Sequence, residues 1–211
     1  MKLLITGICG FVGSTLATEY KKLNADIEIF GIDNFSRSGS WLNKEKLQKL
    51  GVKIFTGDIR NASDMECLPQ CDWVIDAAAN ASVLAGVDGT SSSRQLIENN
   101  LQGTINLLEY CKKYKAGFIL LSTSRVYSIP GIANLKLIEE NGAFKPDPNQ
   151  TFPKGITIKG ISEDYSTQPP VSLYGSTKIT SEHLALEYGY TFDFPVWINR
   201  CGVMAGAGQF G

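Results

Sequence analysis

Lys2-Leu3-Leu4-Ile5-Thr6-Gly7-Ile8-Cys9-Gly10-Phe11-Val12-Gly13 is the stretch whose reading decides the fold. The apolar run from Leu3 to Ile5 has the length of a buried strand, glycines follow at Gly7, Gly10 and Gly13, and a helical pattern runs from Phe11 through Tyr20. In such a strand–turn–helix each glycine has its own task. Gly7 lets the chain turn sharply off the strand, Gly10 lets backbone approach a pyrophosphate, and Gly13 lets the helix pack closely on the sheet. The helix N-terminus then turns its unpaired N–H groups and positive dipole end toward phosphate. A glycine triplet also suits a plain tight turn, so the reading depends on what surrounds it.

The next strand, Asp26 to Asp33, ends in a carboxylate twenty positions beyond Gly13, where a dinucleotide fold needs an acceptor for the adenosine ribose hydroxyls. A negative charge at Asp33 repels a 2′-phosphate and favours NAD, while Arg37 in the following loop leaves NADP open. The strand and helix patterns then alternate. Trp41 to Leu50 reads as a helix and Val52 to Thr56 as a strand running into Gly57-Asp58-Ile59-Arg60, which places Asp58 and Ile59 beside an adenine ring. Ser63 to Leu68 is a helix, and Trp73 to Asp76 a buried strand. The small residues Ala77-Ala78-Ala79-Asn80-Ala81-Ser82 come next and let backbone lie flat against a cofactor.

Ser91 to Tyr114 is a long amphipathic helix whose apolar face is interrupted by Asn100, Gly103 and Thr104, which places a cofactor or the sheet ends beside them. The strand Gly117 to Leu121 ends in Ser122-Thr123-Ser124-Arg125, a hydroxyl cluster on the edge where open α/β sheets bind their ligands. The alternation predicts an α/β fold, a doubly wound parallel sheet with helices on both faces, forming one dinucleotide-binding domain over residues 1–211. From Ser128 to Pro170 it gives way to an irregular insertion rich in Pro, Gly and Asn, read as a substrate-side loop. A helix from Leu173 to Tyr188 and a strand from Pro195 to Asn199 follow.

Composition narrows the function. A chain of 211 residues can bury one good-sized core, and a net charge of −1 with interspersed signs argues against nucleic acid or an anionic membrane as partner. Five scattered cysteines have neither metal-finger spacing nor a disulfide framework, so free thiols and no metal are expected. The first residues already form a core strand rather than a leader, and no apolar run approaches the ~20 residues of a membrane span. A soluble, cytoplasmic protein is expected.

Tyr174-Gly175-Ser176-Thr177-Lys178 sets a phenol and an ammonium one helical turn apart. A phenol of ordinary pKa is a poor base at neutral pH, but a nearby cation and an oxidised nicotinamide stabilise its phenolate. Tyr174 could then remove the proton of a sugar hydroxyl while the ring takes the hydride. His183, farther along the same helix, is read as structural.

Taken together, Thr6-Gly7-x-x-Gly10-Phe11-x-Gly13, Asp33-Asn34, Gly57-Asp58-Ile59-Arg60, Asn100-Leu101-x-Gly103-Thr104, Ser122-Thr123-x-x-Val126-Tyr127 and Tyr174-x-x-x-Lys178 resemble the extended short-chain dehydrogenase/reductase family of nucleotide-sugar epimerases and dehydratases. Asp33-Asn34-x-Ser36-Arg37, Arg125 and the run Arg200-x-x-x-Met204-x-Gly206-x-x-Gln209-Phe210 extend the likeness to the CDP-paratose 2-epimerase (CDP-tyvelose epimerase) branch. The resemblance implies Tyr174 as base, Lys178 on the nicotinamide ribose, and Thr123 hydrogen-bonded to the reacting hydroxyl. It implies that Phe11 and Val12 offer N–H groups to pyrophosphate. The remainder of the NAD site would be Gly7, Gly10, Gly13, Asp33, Asn34, Ser36, Arg37, Asp58, Ile59, Ala77, Ala78, Ala79, Asn100 and Ser122. The expected substrate is a nucleotide-linked sugar, and the expected assembly a homo-oligomer.

There are departures. The family usually has histidine where Asp76 stands, and often Asn or Ser near Val203 and an aromatic at Ala205. Related dehydratases carry Asp-Glu directly after the threonine and decarboxylases a glutamate at Arg125, whereas this chain has Ser124-Arg125. The family also continues beyond Gly211 into a small substrate lobe, so the chain is expected to be a truncated form. Dehydratase, decarboxylase and reductase activities, and a non-catalytic NAD-binding role, remain alternatives to epimerisation.

Overall fold

A computed structural model describes residues 1–209. Phe210, in the last of the resemblance motifs, lies outside the described residues. The chain opens with β1 (Lys2–Thr6), α1 (Phe11–Leu23), β2 (Glu28–Asp33), α2 (Leu42–Lys49), β3 (Lys53–Thr56), α3 (Ala62–Glu66) and β4 (Trp73–Asp76). A helical stretch then begins as α4 (Ser93–Ile97), loosens into one π turn over Glu98–Gln102, and continues as α5 (Gly103–Tyr114). β5 (Gly117–Thr123) carries the hydroxyl cluster two residues further into the strand than its apolar run reaches.

Six parallel strands form one sheet. In the final third, α7 (Leu173–Phe192) and β10 (Val196–Cys201) complete it in the order β10-β5-β4-β1-β2-β3. Both faces of the inner strands are covered, which is why they read as continuous apolar runs instead of alternating patterns. One row of register partners, Phe30, Leu4, Val74, Phe118 and Val196, packs under α5 and α7 with Leu107, Leu108 and Ala185. The neighbouring row faces α1 and α2: Ile5 and Ile75 pack there with Ala17 and Leu47. Gly31 in that row leaves room for Ile8, whose side chain stands 2.4 Å from where a Cβ would be. The row ends at Trp197 on β10, which is 65% exposed. Between Trp197 and α1, a groove of about 220 Å³ is lined by Leu16, Tyr20, Ile75, Ile119 and Leu121.

The insertion at 128–170 has more order than its composition suggests. It contains α6 (Ile129–Ala133) and two antiparallel hairpins, β6 (Leu137–Glu140) with β7 (Ala143–Pro146) and β8 (Ile156–Thr157) with β9 (Gly160–Ile161). Gly142 and Gly160 supply positive φ at the turns, and Tyr165, Ile156, Tyr127 and Val126 make a small core that fastens the segment to the end of β5. No helix among the described residues is long and apolar enough to cross a membrane.

Candidate active site

The chain order reverses between β1 and β4, and the crevice outside their C-terminal ends is where an open α/β sheet binds its ligand. Thr6 holds the two ends together. Its hydroxyl donates to Asp76 Oδ1 at 2.9 Å and accepts the N–H groups of Ala77 and Ala78 at 3.1 and 3.0 Å. Gly7, at φ +58°, lies against Ala77 and Ala78, and a Cβ on Gly13 would stand 2.3 Å from the Gly7 carbonyl oxygen. The small side chains thus let three backbone segments meet at one point. Gly10 caps α1 without a side chain, and the first turn holds no acidic residue, so the N–H groups of Phe11 and Val12 remain available for an anion.

At one end of the crevice, Asp33 is buried and braces the turn: its Oδ2 accepts the Cys9 N–H and its Oδ1 the Phe35 N–H, both at 2.8 Å. A carboxylate has about four acceptor sites, so each oxygen keeps capacity for a ribose hydroxyl. Burial and the Asp33 charge push the Cys9 thiol up to about 12, leaving it inert. Asn34 donates to Asp58 Oδ2 at 3.0 Å, and its own Oδ1 accepts the Ser36 N–H. Ser36 and Arg37 sit exposed on the loop. The Arg60 guanidinium grips Asp58 through both oxygens, at 3.0 and 2.6 Å, and with Asn34 holds its carboxyl down to about 2. Asp58 is therefore committed to protein partners. Ile59 is buried against Gly103, where a Cβ would lie 2.5 Å from its side chain. Gly103 is thus a close approach of the long helix to the β3–α3 loop.

The other end is built from β5, α7 and the π turn. Thr123 ends β5, and its Oγ1 accepts the Arg125 N–H at 3.1 Å, which starts a tight 3₁₀ turn over Ser124–Val126. Ser172 caps α7 by accepting the Gly175 N–H at 3.0 Å. A Cβ on Gly175 would stand 2.3 Å from the Arg125 carbonyl oxygen, so this glycine lets the helix press on the turn. That contact brings the Tyr174 phenol to the Thr123 hydroxyl. Burial raises the phenol's pKa, while the Thr123 hydroxyl and the Arg125 guanidinium act to lower it. Lys178 is 2% exposed, and burial lowers the pKa of its ammonium against the pull of Asp76 and Glu182. The sequence places Lys178 as the cation nearest the phenol; in the folded chain Arg125 is the cation that pulls Tyr174 down.

Asn100 lies within the π turn, a geometry found mostly at functional sites. Its Oδ1 accepts the Asn80 N–H at 2.8 Å, and its Nδ2 donates to the Asn80 carbonyl at 3.1 Å and to Thr177 Oγ1 at 3.3 Å. The polar interruptions of the long helix therefore clamp the Ala77–Asn80 segment and α7. Ala79 in that segment is exposed. Ser122 is buried and donates to Glu182. His183 is exposed on α7.

Four residues of the site have no separate signal in the sequence. Gly175 is hidden inside the Tyr-x-x-x-Lys spacing, and Ser172 reads as an ordinary cap. Glu182 and Arg200 form a mostly buried pair, with Arg200 Nη2 2.7 Å from Glu182 Oε2 and the guanidinium 5.2 Å from the Tyr127 ring centroid. A polar stripe at Lys178, Ser181 and Glu182 on one helix face is the mark that could have found that pair. A groove of about 640 Å³ beside Thr123 is lined by Ser124, Arg125, Tyr127, Glu163, Trp197 and Arg200.

Residues 3–211 match the NAD dependent epimerase/dehydratase family. The chain belongs to that family. The dTDP-D-glucose 4,6-dehydratase of Dictyostelium discoideum is 32% identical over 212 residues, covering 99% of this chain and 45% of that protein. The CDP-paratose 2-epimerase of Salmonella typhi is also 32% identical, over 217 residues, covering 100% of this chain and 59% of that protein. The crystal structure of UDP-glucuronic acid 4-epimerase from Bacillus cereus, in complex with UDP-glucuronic acid and NAD, has a TM-score of 0.70 at 32% identity. It covers 95% of this chain and 56% of that one. This chain thus spans about half the length of the relatives it matches.

The epimerase/dehydratase family acts with NAD on nucleotide-linked sugars, and the crevice fits that cofactor. The N–H groups at the start of α1 are uncapped, a buried carboxylate stands at the end of β2, and a buried ammonium without a hydrogen-bonding partner among the described residues stands on α7.

Proposed function

We propose that the protein is an NAD-dependent epimerase of a nucleotide-linked sugar, of the CDP-paratose 2-epimerase kind. The supporting observation is the convergence of the Tyr174 phenol on the Thr123 hydroxyl, with Ser124 and Arg125 directly following Thr123 in the turn. NAD, when bound, supplies a reversible hydride acceptor. Tyr174 takes the proton of the sugar hydroxyl and later returns it, Thr123 hydrogen-bonds that hydroxyl, and Lys178 holds the cofactor ribose. Arg125 favours the phenolate by its charge. Eliminating water demands a further acid and base next to the reacting carbons, and neither a serine hydroxyl nor a guanidinium serves as one at neutral pH.

A dehydratase is the second reading. Glu163 puts a carboxylate on the wall of the groove, and the Dictyostelium relative is a dehydratase. Turnover of the whole protein on nucleotide sugars in heavy water separates the two. Hydride return without solvent protons at carbon gives an epimer free of carbon-bound deuterium. Loss of water with deuterium on a sugar carbon, or release of carbon dioxide, would refute epimerisation. Trapping NAD with the purified protein and finding no turnover of any sugar would favour a non-catalytic role.

A further inference from the structure

Four carboxylate or ammonium side chains are buried among the described residues: Asp33, Asp76, Lys178 and Glu182. Asp33 braces the glycine turn at the adenosine end. Glu182 is neutralised by Arg200, whose Nε lies 3.2 and 3.1 Å from its two oxygens and whose Nη2 completes the fork. Asp76 at 1% exposure and Lys178 at 2% also lack an ion-pair partner of their own, and unlike Asp33, which takes two backbone N–H groups, Asp76 is met by side-chain hydroxyls.

Asp76 ends β4 and is held at both oxygens by neutral donors: Thr6 gives a hydroxyl to Oδ1 at 2.9 Å and Thr104 one to Oδ2 at 3.1 Å. Hydroxyls orient a carboxylate but do not cancel its charge. Lys178 lies on α7, whose Ser181, one turn further on, donates at 3.4 Å to the same Thr104 hydroxyl that holds Asp76, and no carboxylate of the described residues lies within 4.0 Å of the Lys178 ammonium. An isolated buried charge of either sign is costly, and two opposite charges in one low-dielectric pocket relieve each other even without contact. The charged and titratable groups facing Lys178 are Asp76 from β4, Glu182 from its own helix and Cys201 from β10. Asp76 in turn faces the Cys111 thiol from α5, which its charge helps hold protonated.

We infer that Asp76 is the counter-ion of Lys178: fixed by Thr6 and Thr104 at the end of β4, it keeps the lysine an ammonium turned toward the cofactor crevice. Asp76 is then a positioning residue that acts through Lys178. The inference rests on the proposed function only in naming that crevice the NAD site.

The test follows the charge of Lys178 itself. In the full chain labelled with ¹⁵N-lysine, the Lys178 resonance is assigned by its loss in Lys178→Met and titrated in the parent and in Asp76→Asn. The expected result is a midpoint lower by about one pH unit or more in Asp76→Asn; an unchanged midpoint overturns the inference. If Asp76→Asn does not fold, urea denaturation of Asp76→Asn/Lys178→Met decides. Removing both charges is expected to restore a folded chain, and a double variant no more stable than the single one overturns the inference. Adding NAD to the parent keeps the two ideas apart. A Lys178 signal indifferent to NAD removes the cofactor reading, while the Asp76 titration still decides the counter-ion.

Discussion

Asn100 and Asn80 bond each other twice: the Asn100 side-chain oxygen takes the Asn80 N–H at 2.8 Å, and its nitrogen donates to the Asn80 carbonyl at 3.1 Å. A side-chain amide here takes the place of a neighbouring strand, satisfying backbone that leaves the sheet with no ladder to join. Asn100→Ala leaves both peptide groups unpaired in a half-buried place. The expected loss is about 1–3 kcal/mol in urea denaturation, with weaker NAD binding in the same variant. A stability change within experimental error would show that water replaces the amide at no cost.

Gly175 is expected to control alignment more than folding. A methyl group there meets the Arg125 carbonyl oxygen at 2.3 Å, so Gly175→Ala must lift the start of α7 off the 3₁₀ turn. Tyr174 then leaves Thr123. The expected cost is about 1–3 kcal/mol in stability, together with at least a tenfold fall in kcat as the reacting groups lose alignment. NAD affinity, measured by calorimetry, should change less than kcat. Equal losses in both would place the role of Gly175 in the cofactor site instead.

In the proposed reaction, the Arg125 charge helps lower the pH at which Tyr174 works. A cation stabilises the phenolate, so removing it raises the phenol's pKa, and less of the base is present at any given pH. Arg125→Met should therefore move the rising limb of the pH–kcat profile to higher pH. The ultraviolet titration of tyrosinate in the same variant, compared with Tyr174→Phe, assigns the shift. A limb that stays in place, or moves to lower pH, contradicts the assignment.

Asp33 has two tasks, which one substitution should expose together. Asp33→Ala removes the proposed acceptor for the ribose and the brace under the Cys9 and Phe35 N–H groups. NAD affinity should fall by about 1–3 kcal/mol, with a parallel loss of stability. Asp33→Asn, which keeps acceptor capacity and drops the charge, should recover part of the stability and relax the preference for NAD over NADP. Parent protein that prefers NADP in direct titration would overturn the ribose assignment.

The parallel sheet was readable because its inner strands are buried on both faces, and apolar runs such as Leu3–Ile5 and Phe118–Leu121 with turn residues between them leave few other folds open. The glycine turn was readable for a related reason: Gly7 takes a positive φ and Gly13 stands where no Cβ fits. The insertion at 128–170 was harder, since β6 and β7 are exposed almost throughout and bury no apolar face from which a strand period could be read. Asn100 could be flagged as a polar residue on an apolar stripe, but the π turn that aims it depends on Asn80 and Thr177, far away in sequence. The polar stripe at Lys178, Ser181 and Glu182 marks one side of the Asp76–Lys178 and Glu182–Arg200 relations, but no local pattern names the partner across the fold. They exist only once β4, α7 and β10 are side by side.

The outer side of β10 has a consequence for how the chain behaves in a tube. Among the described residues β10 pairs only with β5, so its other side offers unpaired N–H and C=O groups beside the bared indole of Trp197. Such an edge is a template for strand addition between molecules, and neither proline nor lysine within Val196–Cys201 blunts it. Self-association should therefore rise with concentration and start at this strand, so that light scattering, rather than the melting curve, is the quantity to watch when the chain is prepared alone.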